Sequence, residues 1–549
     1  MAEFATLSRR RRLRFHGWGY ADDRLSAEEE ARVRGLATRV GVAAAVETLA
    51  PREGDIPLRA PRVTAPAALA TMMSVTPYDR LTHSLGKSFA DIARMLLRDV
   101  PHPPDLIAFP KSEEDVAAVL DWASGANVAV IPFGGGSSVA GGVEPDVGDS
   151  YSGTVSLDLQ YLHEVVEIDR ASRAARIQAG ALGPELEARL KPHGLTLRHF
   201  PQSLQHSTLG GWIATRSGGH YASLYTHIDD FVESTRTLTP AGILETRRLP
   251  GSGAGPSPDR LMIGSEGVLG VIVEAWMRLQ DRPVHQASAS IAFATMARAT
   301  AAVRALSQSG LFPANCRLLD PAEAANNGVG DGAAAILVLG FESADHPLDA
   351  WMARALELVA DHQGRIDAAE HRGGPAGQWR NAFIRMPYLR DLMVALGLIT
   401  DTFETAITWD RFETLYEGVR ARAAAVIREV CGHEATVSCR FTHVYPDGPA
   451  PYFSWSALGT STGNLADSLA KWREIKQATG QIVVDLGGTV THHHAVGRDH
   501  RSGYEAQSPP LFRAALAAAK TSLDPAGVLN PGVLIDPIGR TVGQRGALA

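Results

Sequence analysis

Three consecutive histidines, His492, His493 and His494, form the most unusual local run in the sequence. Imidazole titrates near neutral pH, so this histidine run suits anion binding and proton transfer. The preceding Val483-Val484 pair is typical of a strand, and neighbouring residues of an extended chain point to opposite faces. At most two of the three rings would then share one side, which argues against a metal ion bound by all three. We therefore predict no metal site, and a packed core histidine remains an alternative for one of them.

Three loops rich in glycine and serine follow apolar runs that are typical of buried strands. The first, at residues 132–138, contains Gly134, Gly135 and Gly136. Consecutive glycines let the backbone turn sharply, and the N–H groups of such a turn form a concavity that suits a pyrophosphate. This loop lacks the G-x-G-x-x-G spacing of a dinucleotide fingerprint, and no long helix follows it. The second and third loops, at residues 199–212 and 264–272, have a similar composition, so we predict one ligand wrapped by several turns.

The elements that position these loops predict an α+β chain in four parts. Residues 1–100 form an N-terminal region of helices and loops, because prolines interrupt it and no sheet pattern is present. Residues 101–282 hold the three loops and begin with a β-α-β unit whose helix is capped by Ser112. Residues 283–500 alternate strands and helices as a cap domain. Residues 501–549 form a C-terminal segment that returns to the loop-bearing domain.

Composition places the chain among ordinary globular proteins. Its 549 residues are 45% hydrophobic and 21% charged, with a net charge of −7. The negative charge argues against a nucleic-acid partner. Three cysteines without metal-ligand spacing, and no apolar run of the roughly 18 residues that a membrane span needs, predict a cytoplasmic location.

A basic run at residues 9–14 leaves one alternative open. It is either a solvated tail or an electrostatic handle for peripheral contact with an anionic membrane surface. The sequence does not decide between the two.

Four ordered segments resemble the flavin-binding segments of the vanillyl-alcohol-oxidase, or PCMH-type, FAD fold. Their residues are Pro132, Phe133, Gly134, Gly135, Gly136, Ser137 and Ser138; Gln202, Ser203, Leu204, Gln205, His206, Ser207 and Thr208; Thr215, Arg216, Ser217 and Gly218; and Glu266, Gly267, Val268, Leu269, Gly270, Val271 and Ile272. Within that superfamily the chain most resembles the alkyl-dihydroxyacetone-phosphate synthase family, from residues 17–20 almost to the C-terminus. The resemblance implies a PCMH-type FAD-binding domain, an α+β cap domain and a helical N-terminal region.

The resemblance implies FAD as the cofactor. Ser137 stands in a loop where some flavin enzymes of this superfamily carry a histidine that links the flavin covalently. Because that nucleophile is missing here, we predict that FAD is bound without a covalent link at this loop.

The resemblance also implies a reaction. It is the exchange of the acyl group of acyl-dihydroxyacetone phosphate for a fatty alcohol in ether-lipid synthesis, with flavin N5 as a covalent trap for the substrate and no net redox change. The partners would be a phosphorylated lipid precursor and a fatty alcohol, and we expect a homodimer.

Roles for single residues follow from the same resemblance. Tyr452 is expected to transfer the proton, and Arg390 to bind the substrate phosphate through its guanidinium fork. Because a phenol titrates near ~10, Tyr452 needs positive charge nearby, which the histidine run could supply. The alternatives are a packed core aromatic for Tyr452 and a surface arginine paired with an acid for Arg390.

Two more residues are assigned to the site. Arg317 matches another arginine that is important for activity in the family, and its alternative is a buried ion pair with Asp320. His199, in the second loop, is assigned to substrate binding.

Two features favour a different enzyme. Asn530-Pro531-Gly532 resembles the ending of flavin-dependent 2-hydroxy-acid dehydrogenases, and residues 442–448 partly match a metal-holding segment of those enzymes. The match is incomplete, because no asparagine follows Gly448. The alternative function is therefore an FAD-dependent 2-hydroxy-acid or alcohol oxidase or dehydrogenase, and a third is a flavin-binding protein that has lost catalysis.

Overall fold

The computed structural model describes residues 11–39, 41, 47–225, 227–366, 375–460, 462–540 and 542. Within these residues the strands form four sheets with helices packed on them. The α+β class predicted from the sequence is confirmed.

The helices of the described chain are short in the first half and longer in the second. They are α1 Ala27–Arg39, α2 Pro77–Thr82, α3 Phe89–Leu96, α4 Glu113–Ala126, α5 Gly183–Leu190, α6 Leu209–Thr215, α7 Ala222–Tyr225, α8 Ile228–Phe231, α9 Pro258–Met262, α10 Met296–Gln308, α11 Pro321–Asn326, α12 Asp349–Asp361, α13 Pro375–Ala395, α14 Trp409–Cys431, α15 Leu465–Asp485, α16 Arg501–Gln507 and α17 Pro510–Leu523. The predicted cap of α4 is confirmed, because Ser112 Oγ accepts a hydrogen bond from Asp115 N at 3.2 Å.

The first sheet carries the first glycine loop. Its strands, in the order β1-β2-β4-β3, are β1 Met73–Ser74, β2 Leu106–Ala108, β3 Val128–Phe133 and β4 Gly153–Asp158. The last three are parallel, and α4 is the crossover helix between β2 and β3, as the predicted β-α-β unit requires. The C-terminal chain lies along β3, since Val130 N donates to Val528 O and Asn530 N donates to Val130 O, both at 2.8 Å.

Two antiparallel sheets continue the first half of the chain. The second sheet, in the order β5-β6-β10-β8-β9, consists of β5 Val165–Asp169, β6 Ala174–Gln178, β8 Val232–Thr239, β9 Gly242–Glu245 and β10 Val271–Arg278. The third pairs β7 Leu195–Thr196 with β11 Gln280–Asp281. The second and third loops of the sequence analysis lie next to these strands.

The fourth sheet has seven antiparallel strands in the order β15-β12-β14-β13-β17-β18-β16. They are β12 His285–Phe293, β13 Asn315–Leu319, β14 Ala335–Ser343, β15 Arg365–Ile366, β16 Leu398–Glu404, β17 Val437–Val444 and β18 Pro449–Leu458. Helices α10, α12, α14 and α15 cover one face and share its largest apolar core. Helix α3, from the N-terminal region, packs into the same core.

The strand assigned to Val483-Val484 is wrong. Both residues lie in the last turn of α15, whose buried positions Trp472, Ile475 and Ile482 recur at helical spacing. The sequence interpretation considered only the final two β-branched residues and missed the apolar stripe before them.

The N-terminal segment folds onto the body of the protein. Of the basic run, Arg9 and Arg10 lie outside the described residues. Arg11 pairs with Asp22 at 2.7 Å, and Arg12 pairs with Glu53. Among the helices that the structure describes, none is both long enough and apolar enough to cross a bilayer.

Candidate active site

A deep cavity lies between the glycine-rich loops and the fourth sheet. It encloses about 1940 Å³ of empty space, including the part that opens to solvent. Residues of all three loops form one wall, the loop wall. Side chains from β13, β16, β17 and β18 form the opposite wall, the sheet wall. The cavity therefore brings together segments that are far apart in the sequence.

The first loop needs its glycines to contact the second. A Cβ on Gly135 would lie 1.7 Å from the carbonyl oxygen of His206, and a Cβ on Gly134 would lie 2.3 Å from Thr208 Oγ1. Gly136 has a φ of +67°, which side chains disfavour. All of residues 132–138 line the cavity. The first two loops thus pack backbone against backbone, and their small residues face the cavity.

Only part of the second loop region faces the cavity. Among the predicted cofactor residues of this region, those that line it are Gln202, Ser203, Ser207, Thr208, Thr215, Ser217 and Gly218. Four other predicted cofactor residues, Leu204, Gln205, His206 and Arg216, lie outside the lining. His206 Nε2 instead lies 3.0 Å from Tyr388 Oη, and Arg216 pairs with Asp229 at 2.7 Å. The structure therefore gives these side chains the task of holding the loop.

The third loop connects the cavity to the C-terminal part of the chain. The buried carboxylate of Glu266 accepts hydrogen bonds from Val496 N and Gly497 N, both at 2.8 Å. Burial raises the pKa of Glu266 to about 7, against the effect of these two donors. The residues that line the cavity here are Glu266, Gly267, Gly270, Val271 and Ile272. Val268 and Leu269 lie instead in a separate apolar core.

His199, which the sequence assigned to substrate binding, lies behind the cavity wall. It is buried, and its Nε2 lies 2.7 Å from Ser217 Oγ, which does line the cavity. Burial lowers the pKa of His199 to about 3, so the ring is neutral. The predicted contact between His199 and the substrate is therefore corrected, because His199 supports Ser217 from behind the cavity wall.

The sheet wall presents charged and aromatic side chains at alternate strand positions. On β17, Arg440 faces the cavity while Cys439 and Phe441 lie in the apolar core. Tyr452 on β18 and Arg317 on β13 also face the cavity. Because side chains of a strand alternate between its two faces, one face of the sheet can hold the core while the other builds the site.

Tyr452 lies under a guanidinium. Its hydroxyl donates to Thr402 Oγ1 at 2.9 Å, and Arg440 Cζ lies 3.8 Å from its ring centroid. Burial raises the pKa of Tyr452, and the charge of Arg440 acts in the opposite direction. Burial also lowers the pKa of His493. The expected source of positive charge is therefore corrected, since Arg440 and not the histidine run supplies it.

Glu404, at the end of β16, organises the histidine run. Its carboxylate accepts hydrogen bonds from the N–H groups of His492, His493 and His494 at 2.5, 3.0 and 2.9 Å, and from Thr491 Oγ1 at 2.6 Å. Burial opposes its charge, but the neighbouring histidines and Thr491 outweigh burial and hold the pKa of Glu404 well below its ordinary value.

The convergence of these N–H groups on one carboxylate corrects the expected shape of the histidine run. It is a turn, not an extended segment whose side chains alternate. His493 and His494 line the cavity, and the His492 side chain lies behind them. The argument that divided the three rings between two faces of a strand is therefore wrong.

Arg317 is directed towards the cavity and not towards Asp320. Its Nη2 donates to Nδ1 and to the carbonyl oxygen of His220, at 3.0 and 3.3 Å. Asp320 accepts hydrogen bonds from Tyr416 Oη at 3.1 Å and from Cys439 N at 2.9 Å. Burial, with help from the neighbouring Arg440, lowers the pKa of Arg317 to about 9. This arrangement favours the site interpretation over the ion pair.

Arg390 reaches the cavity from α13. Its Nη2 donates to the carbonyl oxygen of Lys87, and its buried Nε has no hydrogen-bond partner among the described residues. Lys476, on α15, lines the cavity nearby and lies 3.5 Å from Asp401 Oδ2. A guanidinium with an unused buried donor at a cavity surface is suited to an anionic ligand.

Several site residues were missed by the sequence interpretation. They are Trp18, His220, Thr402, Glu404, Arg440, Lys476 and Asn530. Arg440 could have been found, because it alternates with the apolar Cys439 and Phe441 on the strand that leads into the segment at residues 442–448. Glu404 and Lys476 gave no local signal.

Two sequence profiles match the chain. One, described as FAD binding domain, covers residues 104–247, and the other, described as FAD linked oxidases, C-terminal domain, covers residues 282–534.

Relatives decide the family. An alkyldihydroxyacetonephosphate synthase of Dictyostelium discoideum is 31% identical over 486 residues, which are 84% of this chain and 78% of the relative. The chain belongs to the alkyldihydroxyacetonephosphate synthase family. A synthase of Trypanosoma brucei brucei is 28% identical over 83% of this chain and 77% of its own. The glycolate oxidase subunit GlcD of Bacillus subtilis is 25% identical over 80% and 92%.

Solved structures agree with the synthase family. One alkyldihydroxyacetonephosphate synthase superposes with a TM-score of 0.78 at 26% identity and covers 95% of this chain and 98% of its own. The p-cresol methylhydroxylase structure, at 14% identity, has a TM-score of 0.65 over 86% and 96% of the two chains. The second match shows the PCMH-type fold alone.

FAD is the cofactor of this synthase-family enzyme, and the loop wall fits it. Consecutive small residues at positions 134–138 leave room for close approach of a pyrophosphate. The buried Asn530 Oδ1 has no hydrogen-bond partner among the described residues and lines the same cavity. Ser137, in the first loop, lines the cavity, and a serine has no imidazole nitrogen that could form a covalent link to the flavin. Binding without a covalent link at this loop stays a prediction.

Proposed function

We propose that this chain is an alkylglycerone-phosphate synthase that exchanges the acyl group of acyl-dihydroxyacetone phosphate for a fatty alcohol. The ester bond between the dihydroxyacetone carbon and the acyl oxygen breaks, an ether bond to the alcohol oxygen forms, and the fatty acid leaves. The atoms balance without an oxidant or reductant. Names of the synthase relatives support this proposal, and the charges of the side chains opposite the loop wall carry it.

The observation that carries the proposal is an excess of cations opposite the loop wall. Four positively charged side chains line the cavity, namely Arg317, Arg390, Arg440 and Lys476. They face Glu266 and Asp401 in the lining and Glu323, which pairs with Arg440 from outside it. Glu266 has a pKa raised by burial to about 7, so its charge is incomplete at neutral pH. A cavity of this charge suits a phosphorylated substrate better than an uncharged alcohol.

A few residues that line or support the cavity have defined roles in the proposed reaction. FAD, when bound, supplies an isoalloxazine ring that holds the substrate carbon without net redox. Arg390 binds the phosphate, because its Nε is buried and unused. Tyr452 moves the proton at its Oη, passing it to or from the substrate carbon, and Arg440 over its ring stabilises the phenolate. Glu404 keeps His493 and His494 at the cavity surface.

The test is product formation by FAD-loaded protein. Palmitoyl-dihydroxyacetone phosphate and hexadecanol are incubated with the enzyme without oxygen, and the ether product and palmitic acid are measured by mass spectrometry. We expect equal amounts of both, and turnover of the dephosphorylated ester to be lower by about 10-fold or more, the loss of one charge-assisted contact.

An oxidoreductase would behave differently. Bleaching of the flavin by a 2-hydroxy acid such as glycolate, with no ether product from the lipid substrates, would overturn the proposal in favour of the alternative. The alternative is supported by Asn530, which belongs to the segment resembling 2-hydroxy-acid dehydrogenases and lines the cavity.

A further inference from the structure

Four polar side chains from three separate segments meet at the edge of the cavity, which His443 also lines. They are His227, before α8, His443 and Tyr445, at the end of β17, and His492. One ring nitrogen from each histidine lies within 4.8 Å of the others. His227 Nε2 and His492 Nε2 are 3.2 Å apart, and Tyr445 Oη is 2.5 Å from the first and 2.9 Å from the second.

The distance between two of the three ring nitrogens fits the edge of a small tetrahedral metal site, and all three lie within 4.8 Å of one another. Zinc binds imidazole nitrogen at about 2.0–2.1 Å, and the edge of a tetrahedron with that radius is about 3.3–3.4 Å. The 3.2 Å between the Nε2 atoms of His227 and His492 is close to this edge. The hydroxyl of Tyr445 is nearer to both nitrogens than this edge, so it lies beside the fourth position and not in it.

The outer hydrogen bonds orient the histidines as metal ligands are oriented. His443 Nε2 lies 2.8 Å from the carbonyl oxygen of Gly219, so this nitrogen carries the proton and Nδ1 has a free lone pair. That Nδ1 is buried and has no hydrogen-bond partner among the described residues. His492 Nδ1 lies 3.1 Å from His493 Nδ1, which leaves its Nε2 for the cluster.

We propose that His227, His443 and His492 bind a divalent transition-metal ion of the zinc type, with Tyr445 beside the fourth position. The site adjoins the cavity, because His443 lines it and His492 contacts His493, but no step of the proposed reaction passes through the metal. The argument against a metal in the sequence analysis concerned three consecutive histidines of one run. The proposed ligands take only one from that run and recruit two from elsewhere in the chain.

A second group of candidate ligands, Glu404 with His492 and His493, is less suitable. The carboxylate of Glu404 already accepts four hydrogen bonds, from three backbone N–H groups and from Thr491. A metal there would have to displace donors that fix the turn. In the cluster around Tyr445 a metal would replace hydrogen bonds among the side chains of the cluster itself, and no backbone donor would be displaced.

The experiment measures zinc on the FAD-loaded protein. The enzyme is dialysed against a chelator, then against buffered Zn²⁺, and bound zinc and FAD are determined per chain. We expect one zinc per chain, and binding to His227→Gln weaker by more than about 100-fold, beyond the 10–100-fold that outer-shell changes cause. The control is His193→Gln at an exposed histidine, which should bind like the unchanged protein.

The result that overturns the proposal is zinc that is absent, or bound equally by His227→Gln and the unchanged protein. In that case the cluster is a hydrogen-bonded chain of imidazoles and phenol only. If His227→Gln loses FAD or unfolds, zinc X-ray absorption of the unchanged protein decides. Three imidazole ligands at about 2.0–2.1 Å support the site, and a shell without imidazole overturns it.

Discussion

The loop wall of the cavity is rich in glycine and serine, whereas the sheet wall opposite carries Arg317, Arg440 and Tyr452. The first wall is built from contiguous segments whose residues are small because other backbone must approach them. The second is built from single side chains on separate strands. Binding of the cofactor therefore depends on the shape of the loop wall, while the chemistry proposed for the substrate depends on the charges of the sheet wall. Mutations in the two walls should therefore fail in different ways.

The largest effect is expected at Gly135. In Gly135→Ala the new methyl group would lie 1.7 Å from His206 O, so the first two loops must separate. We expect loss of FAD and a destabilisation at the upper end of ~1–3 kcal/mol, the range for overpacking. FAD released by heat denaturation is quantified per chain. Gly251→Ala, with no atom within 4 Å of its added Cβ, is the control and should keep its FAD.

The sheet wall should fail in catalysis while keeping the cofactor. Tyr452→Phe retains the ring beneath Arg440 and removes only the hydroxyl that donates to Thr402. We expect turnover to fall by about 10²–10⁴, the usual contribution of general acid–base catalysis, with unchanged FAD content. Turnover is measured with the phosphorylated ester and the alcohol. A near-normal rate would show that Tyr452 only packs.

Glu404→Gln is expected to come next, because it acts through the histidine run. The variant keeps the size of the side chain but removes the charge that four donors share. Hydrogen bonds to charged groups contribute about 1.5–3 kcal/mol, so turnover should fall by roughly 10–100-fold. FAD content should remain normal. Glu413→Gln, at an exposed position of α14, is the matched control.

Substitutions at Arg390, on α13, separate the contribution of charge to phosphate binding from that of guanidinium geometry. Arg390→Ala should weaken binding of a phosphorylated ligand by about 10-fold or more, and Arg390→Lys by less, because lysine keeps the charge but loses the fork. Binding is followed by titration of dihydroxyacetone phosphate into FAD-loaded protein. Equal affinity in the unchanged protein and Arg390→Ala would remove this residue from the phosphate site.

The smallest effect concerns pH and the loop wall. The pKa of Glu266, raised by burial to about 7, lies above the value near ~4.3 of an unfolded chain, so the folded protein binds more protons between the two. Stability from this group is complete below about pH 4 and falls as pH rises through about 7. In Glu266→Gln this decline should be missing, as measured by thermal unfolding from about pH 5 to 8. The same decline in both proteins would assign it to other groups.

Sequence reasoning succeeded where local pattern and contact coincide. The loop at residues 132–138 follows an apolar strand, and all of its residues line the cavity. It was less successful at Val268 and Leu269, because a motif does not tell which of its residues turn into the core. Tyr452, Arg317 and Arg390 were found by resemblance and do reach the cavity.

The remaining features of the site could not be predicted, because they are contacts between residues that are far apart in the sequence or that meet only through strand pairing. Glu404 binds the histidine run across 88 residues at His492, and Arg440 reaches Tyr452 only through the pairing of β17 with β18. The strand assigned to Val483-Val484 then produced a wrong shape for the run that follows. The misassigned helix end therefore hid the turn in which the three histidine N–H groups converge on Glu404.

The position of Asn530 has a consequence for the order in which the protein is made. Its side chain donates to Gly142 O, 388 residues earlier, and to Glu266 O, and the chain beside it pairs with β3. The ribosome therefore synthesises the entire fourth sheet before the segment around Asn530, which supports the loop wall, is made. The newly made loops must wait, without one edge of their site, until the last part of the chain emerges and closes the cofactor pocket behind it.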